Sequence, residues 1–207
     1  EIPQRLRTIF GNNQKTRVVV IEQSSEIGPT LGAGPRPLIQ EAFTECGVEI
    51  MSSTEVKSIS SDGLITDAGV YVPSNTVIWA GGPGAQSLAQ QIEGEHDRFG
   101  RVYADQYLRA QGVKSVYVTG DVAMVAADDK GNIAAMSCQH ALSLGRVSGY
   151  NAAAELVGLS MHPYSQSKYV TCLDLGTWGA VYTEGWDREV CMERKEAKEL
   201  KQTINTQ

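Results

Sequence analysis

The sequence predicts an α/β fold, and three observations carry that expectation. A short apolar run, Arg17-Val-Val-Val-Ile-Glu22, is followed by an amphipathic stretch from Leu38 to Cys46 and by a second short apolar run, Val48-Glu-Ile-Met51. Strand, helix, strand in that order is the unit from which parallel sheets are built. Residues 54–71 then switch to the alternation of half-buried strands, and the hydrophobic segment Val113 to Thr119 precedes one long helical pattern.

Taken in order, residues 1–14 read as the end of a helix, with Ile2, Leu6 and Ile9 or Phe10 on one face and Gly11-Asn12-Asn13 closing it. Arg17 to Glu22 is too short for a helix and uniformly apolar inside, so it is expected as a strand buried on both faces of a parallel sheet. Gly28 to Pro37 is a Gly- and Pro-rich loop. Apolar residues at 38, 39, 42, 43 and 46 make a helix stopped by Gly47. Val56, Ile59, Leu64, Ile65 and Val70, broken by turns at Ser61-Asp62-Gly63 and Asp67-Ala68-Gly69, make a β-meander. Asn75 to Ala80 is expected as a buried strand ending in Gly81-Gly82-Pro83-Gly84. Leu88 and Ile92 sit on a short helix, Val113 to Thr119 is a strand, and Ser137 to Leu159 is a helix. Its small residues at 145, 148, 149 and 152–154 predict close packing on another backbone. In the tail, Tyr169 to Gly176 and Trp178 to Thr183 are two strands, and residues 192–202 form a charged, solvated helix with no evident apolar face.

Composition narrows the function. The chain has 207 residues, 42% hydrophobic and 20% charged, which is ordinary for a globular protein. Its formal charge of −6 argues against a nucleic acid partner, because neutralising phosphates needs a basic face. No run approaches the ~18 apolar residues of a bilayer span, and Glu1-Ile2-Pro3-Gln4-Arg5 is not a secretory leader. The chain opens without Met, as a processed or truncated polypeptide does. Cys46, Cys138, Cys172 and Cys191 are widely spaced with no CxxC pair, so neither a metal site nor a local redox dithiol is indicated, and reduced thiols in a cytoplasmic setting are expected.

Chemistry concentrates at strand ends. Glu22, an acid closing a strand of a βαβ unit, is suited to accept hydrogen bonds from adenine-ribose hydroxyls and to repel a 2′-phosphate; the plainer alternative is a solvated carboxylate. Gly81 and Gly82 permit a sharp reversal or close approach of a ligand. Val116-Tyr-Val-Thr-Gly-Asp-Val-Ala123 is the strongest motif. A strand delivers Gly120, whose missing side chain leaves space, and then a carboxylate, Asp121, able to bind a polyol hydroxyl, with Val122 beside it.

These blocks resemble a known family. Trp79-Ala80-Gly81-Gly82, Phe99-Gly100-Arg101-Val102 with Asp105 and Leu108, Val116 to Asp121, and the helix from Gln139 to Asn151 fall in the order seen in pyridine-nucleotide-dependent flavoproteins of the pyridine nucleotide-disulfide oxidoreductase superfamily. The set is similar to the type II NADH:quinone dehydrogenases and their sulfide:quinone relatives. The resemblance implies a partial Rossmann-like flavoprotein of two dinucleotide-binding domains, with the β-meander inserted and a small C-terminal α+β region. Residues 1–84 would complete an NAD(H)-binding domain, 85–159 an FAD-binding domain, and 160–207 an interface or dimerisation region.

By the same resemblance Asp121 would hydrogen-bond the ribitol of FAD, flanked by Gly120 and Val122. The helix start at Ser137, Cys138, Gln139 and His140 would point backbone N–H groups at the flavin's pyrimidine end. A helix N-terminus stabilises an anion there by roughly 1 kcal/mol. Cys138 and His140 are read as positioned helix residues rather than catalytic ones. Quinone-reducing relatives carry a second Gln in this helix where Ser143 stands, so the acceptor is a quinone or another oxidant. The Gly-x-Gly-x-x-Gly pyrophosphate turns are absent from these residues, so the chain alone is expected to bind neither FAD nor NADH tightly. Two alternatives remain beside the NADH dehydrogenase reading. One is a non-catalytic module that dimerises through exposed half-sheets. The other is a disulfide reductase, whose C-terminal His-Glu pair is missing, since Tyr and Ser follow His162-Pro163. A homodimer and peripheral attachment to the inner face of the cell membrane are what the resemblance implies for partners.

Overall fold

The computed structural model describes residues 1–11 and 16–206, so Asn12 and Asn13, expected in the first helix's stop, lie outside the described residues. Along the chain the elements are α1 (Ile2–Phe10), β1 (Val18–Ile21), α2 (Arg36–Cys46) and β2 (Val48–Met51). The meander follows as β3 (Val56–Ile59), β4 (Gly63–Thr66) and β5 (Tyr71–Pro73). Next come β6 (Val102–Tyr103), β7 (Ala123–Met124) and α3 (Cys138–Val157). The chain ends in β8 (Val170–Asp174), β9 (Ala180–Glu184), β10 (Glu189–Glu193) and α4 (Arg194–Thr206). Two compact units result, Glu1–Trp79 with Lys168–Gln207, and Ala80–Ser167.

In the first unit β1 and β2 run parallel, Val18 opposite Val48 through Ile21 opposite Met51, with α2 as the crossover. The predicted βαβ unit is there, but β1 is half-buried rather than covered on both faces. The buried side of α2 faces the C-terminal sheet: Ile39 and Ala42 form one apolar cluster with Leu175, Trp178 and Val181. Each large side chain buried there contributes roughly 2 kcal/mol. That sheet is antiparallel in the order β10-β9-β8. Alternation along its strands sends Leu173, Val181 and Val190 toward α2. Cys172 and Asp174 face the other way. The Cys172 thiol donates to the Ala197 carbonyl at 3.6 Å, and the Lys198 ammonium donates to both oxygens of Asp174 at 2.7 Å.

Two expectations for the tail are therefore corrected. A third strand, β10, occupies residues 189–193, so the last helix begins at Arg194 rather than 192. The helix is also not solvated all round, because Ala197 is fully buried against the sheet. Charged residues dominate its sequence, and one Ala is enough of a stripe where backbones approach closely. Gly179, at φ 128°, sits in that approach: a Cβ there would lie 2.4 Å from the Arg194 carbonyl oxygen.

The meander forms as expected, β3-β4-β5 antiparallel. Asn75 to Ala80 does not become a strand. No described strand pairs with it, and Ile78 and Trp79 are 68% and 70% exposed. An apolar sequence yields a strand only where a neighbour supplies partners for its N–H and C=O groups.

In the second unit Val113 to Thr119 shows the same effect. Its last residues are extended, yet pairing reduces to a single bridge between Arg109 and Tyr117, with Val118 N–H donating to Leu108 C=O at 2.9 Å. Around Leu88 the chain makes only a short three-ten turn, Ser87–Gln91, and it is Ala89 that is buried. The long helix α3 buries one face, His140, Leu144, Ser148, Asn151 and Ala154. Of the small residues expected to pack closely, Ser148 and Ala154 do; Gly149 meets nothing within 4 Å. No helix among the described residues is long and apolar enough to cross a membrane.

Candidate functional site

The site in the second unit is built on the extended end of residues 116–119. Val118 is buried and anchors the segment through Leu108, leaving the following residues to turn outward. Gly120 takes φ 67°, and a Cβ on it would meet nothing within 4 Å. The left-handed backbone, not crowding by neighbouring atoms, is therefore what suits Gly here, and its flank stays open to a ligand. Asp121 follows within the short turn Gly120–Val122 and is exposed, with no ion pair or hydrogen bond to its carboxylate among the described residues. Val122 is half-buried in the same turn.

This turn packs against α3. The helix opens on Ser137, whose Oγ accepts from the His140 N–H and lies 3.1 Å from His140 Nδ1. The cap occupies one of the helix's free N–H donors and fixes its entry. Cys138 is exposed, Gln139 half-buried, and His140 fully buried. His140 thus faces the interior of the unit, its Nδ1 beside the Ser137 hydroxyl. Gly81 and Gly82 lie in an exposed segment without regular structure, and the structure forms no contact around Gly82 within 4 Å of a built Cβ.

Glu22 belongs to the first unit. It follows β1 directly, and one carboxylate oxygen accepts from the Ser24 N–H at 2.8 Å, leaving the other without a hydrogen bond among the described residues. The loop after β2 braces this turn: Thr54 N–H donates to the Glu22 carbonyl at 3.1 Å and Ser53 N–H to the Ser24 carbonyl at 2.8 Å. A carboxylate oriented this way, one oxygen engaged and one presented, suits a vicinal diol.

Sequence reasoning missed the carboxylates that hold the second unit's loops. Asp97 accepts from the N–H groups of Phe99 and Arg101 and from Arg101 Nε at 2.7 Å. Asp105 does the same for Tyr107, Arg109 and Arg109 Nε, and Asp128 for Lys130, Asn132 and Asn132 Nδ2. Each Asp stands four residues before its Arg or Asn partner, a spacing shared with helical ion pairs and so no distinguishing signal in the sequence. Burial pushes the Asp97 carboxyl up, but the Arg101 N–H and guanidinium and the Phe99 N–H outweigh it and hold the pKa below the usual carboxylate range. The Asp105 loop carries Leu108, fully buried at φ 70°, a conformation a branched side chain adopts only when its surroundings enforce it.

The chain combines a parallel strand pair, an acid directly after its first strand, and a Gly-Asp turn docked on a long helix. The chain belongs to the pyridine nucleotide-disulphide oxidoreductase family, which it matches over residues 8–145. An NADH dehydrogenase-like protein of Mycobacterium tuberculosis is 38% identical over 208 residues, covering 100% of this chain and 52% of the relative. The chain therefore spans about half the length of the curated relatives it matches most fully. Among solved structures, the sulfide:quinone oxidoreductase of Aquifex aeolicus superposes with a TM-score of 0.76 at 13% identity, over 99% of this chain and 52% of that one. An FAD-dependent pyridine nucleotide-disulphide oxidoreductase of Desulfovibrio vulgaris gives 0.62 at 17% identity, over 87% of this chain and 44% of that one. These structural likenesses establish the fold.

Proposed function

We propose that these residues are part of an FAD-dependent oxidoreductase that oxidises NADH and passes electrons to a quinone or similar acceptor. The single observation that carries this reading is Asp121. It is an exposed carboxylate with no partner among the described residues, set out by the end of an extended segment and backed by the long helix. In water such a group is unremarkable; beside an open Gly flank it is an acceptor waiting for hydroxyl donors. The 38% identity to an NADH dehydrogenase-like protein and the fold shared with FAD-dependent and quinone-reducing enzymes support the same reading.

In this proposal residues 1–84 complete an NAD(H)-binding domain, 85–159 contribute the last part of an FAD-binding domain, and 160–207 serve as an interface region. Asp121 accepts from the ribitol hydroxyls, with Gly120 and Val122 leaving room for the chain of the sugar alcohol. The N-terminal N–H groups of α3 at Cys138, Gln139 and His140 favour negative charge at the pyrimidine edge. Glu22 accepts from the adenine ribose. Gly81 and Gly82 let backbone and cofactor approach. FAD, when bound, supplies the two-electron chemistry between NADH and the acceptor. A membrane-dissolved quinone would bring the protein to the inner face of the cytoplasmic membrane as a peripheral, homodimeric enzyme.

The test is flavin retention by a polypeptide that carries these residues together with the pyrophosphate-binding turns. Asp121→Ala is expected to weaken FAD binding about tenfold, the loss of one charge-assisted hydrogen-bonded contact. Equal retention by variant and wild type would remove Asp121 from the site. For the chain by itself, micromolar FAD affinity in a calorimetric titration would contradict the expectation that the pyrophosphate turns are needed.

A second reading, a non-catalytic module that self-associates, is favoured by the exposure of Ile78, Trp79, Leu142 and Leu156, at 68%, 70%, 63% and 88%. Flavin retention measured beside light scattering, on the polypeptide that also carries the pyrophosphate-binding turns, separates the two: a dimer that retains no flavin supports the module.

A further inference from the structure

The edge that carries Glu22 holds a second charged device. In a βαβ unit the crossover helix runs back against its strands, so its N-terminus lies at their carboxyl ends. Arg36, the first residue of α2, thus shares an edge with Glu22, which directly follows β1. Its guanidinium is not free there. Arg36 Nη1 is paired with Glu26 Oε2 within the same loop, with the Arg side chain 27% and the Glu 60% exposed. Arg188 meets this loop through its Cβ and Cγ beside Gly32, while its guanidinium lies over the Tyr169 ring at 3.9 Å.

The two nicotinamide dinucleotides differ at this edge by one group. The 2′-hydroxyl of NADH wants an acceptor such as a carboxylate. The 2′-phosphate of NADPH brings about −1.5 to −2 charges and wants the planar fork of an arginine. The edge presents the carboxylate of Glu22 with an oxygen to spare, and an arginine already occupied by another carboxylate.

We propose that the Glu26–Arg36 ion pair is a specificity device: by holding Arg36 it denies a 2′-phosphate its partner and leaves Glu22 to select the ribose diol, so the edge takes NADH and rejects NADPH. This rests on the nucleotide-binding reading of residues 1–84 and adds a residue pair to it. Glu26→Gln leaves Arg36 in place with its fork released. It changes the local balance from two carboxylates and one guanidinium to one of each.

Backbone amide shifts of an isotope-labelled polypeptide that carries these residues together with the pyrophosphate-binding turns, titrated with ADP-ribose and with its 2′-phosphate, test this without flavin or turnover. Wild type is expected to bind ADP-ribose about tenfold more tightly than the 2′-phosphate form, with shifts at Glu22, Ser24 and Arg36. Glu26→Gln should strengthen binding of the 2′-phosphate form about fivefold and leave ADP-ribose within about twofold. The gain should vanish in the double variant Glu26→Gln/Arg36→Gln. An unchanged preference in Glu26→Gln, or a gain that survives in the double variant, overturns the inference while ADP-ribose still binds. Absence of any shift at this edge with ADP-ribose, in every variant, overturns the nucleotide reading along with it.

Discussion

Asn151→Ala is expected to destabilise the second unit by about 3 kcal/mol, a large part of what a domain of this size has. Asn151 is fully buried on α3, and its amide is shared among three backbone groups. Nδ2 donates to the carbonyls of Tyr107 at 3.0 Å and His162 at 2.8 Å, and Oδ1 accepts from the His162 N–H at 2.8 Å. Truncation leaves all of these without that partner in a region closed to water, since the adjoining α3 residues Ser148 and Ala154 are also buried. Thermal melting should fall by roughly 15 °C for a unit of this size, and hydrogen exchange of α3 amides should accelerate accordingly. Asn151→Asp gives a sharper signature. It keeps the acceptor but turns an oxygen toward two carbonyls, so burial and repulsion raise its pKa. The damage then grows as pH rises above about 4, where the unfolded carboxyl ionises. A loss in Asn151→Ala under about 1 kcal/mol would show that α3 is not latched by this side chain.

The latch also shows what the sequence made legible. Asn151 was placed correctly on a long helix, and the helix, the meander and the βαβ unit were all readable because local periodicity determines them. Residues 75–80 and 113–119 read equally well as strands and are not paired strands. Their apolar character is a property of the sequence, but a strand is a property of a pair, and no described strand lies along either segment for more than an isolated bridge. β10 was missed for the opposite reason. Glu189-Val-Cys-Met-Glu193 alternates polar and apolar, yet the charges that follow in α4 drew the helix boundary back over its last two residues.

The segment-end acids were legible as residue types in context. Glu22 in the first unit and Asp121 in the second stand at the ends of their segments, each with carboxylate oxygen that has no hydrogen bond among the described residues. The loops of the second unit that close on their own carboxylates were not legible. Asp97, Asp105 and Asp128 each reach the residue four positions on, a spacing that in a sequence signals a helical ion pair rather than a carboxylate enclosed by its own loop. Likewise nothing local distinguishes Arg36 as a residue tied to Glu26, since the two stand ten positions apart in the chain across a loop.

Of those loop carboxylates Asp97 carries the second large expected effect. Its side chain is 9% exposed and that of Arg101 12%, so each charge is kept from water and answered mainly by the other. Arg101 also donates from Nη1 to the Ala134 carbonyl at 3.1 Å, tying the loop to the chain ahead of α3. Asp97→Asn removes the negative charge and turns an amide donor toward the guanidinium, which should cost about 3 kcal/mol. Adding Arg101→Met should restore at least half of that, because the penalty comes from a stranded cation rather than from lost attraction. The wild-type pair also sets an acid limit. A carboxyl whose folded pKa lies below its unfolded value stabilises the fold at pH above the unfolded value near 4. That contribution is lost as pH falls through the folded one. Melting temperatures measured from pH 7 downward should hold level to about pH 4 and then drop in wild type, with a shallower drop in the double variant. Equal acid sensitivity in both would assign the limit to other carboxylates. A single variant as stable as wild type would mean that the Arg101 cation is relieved by water the loop admits.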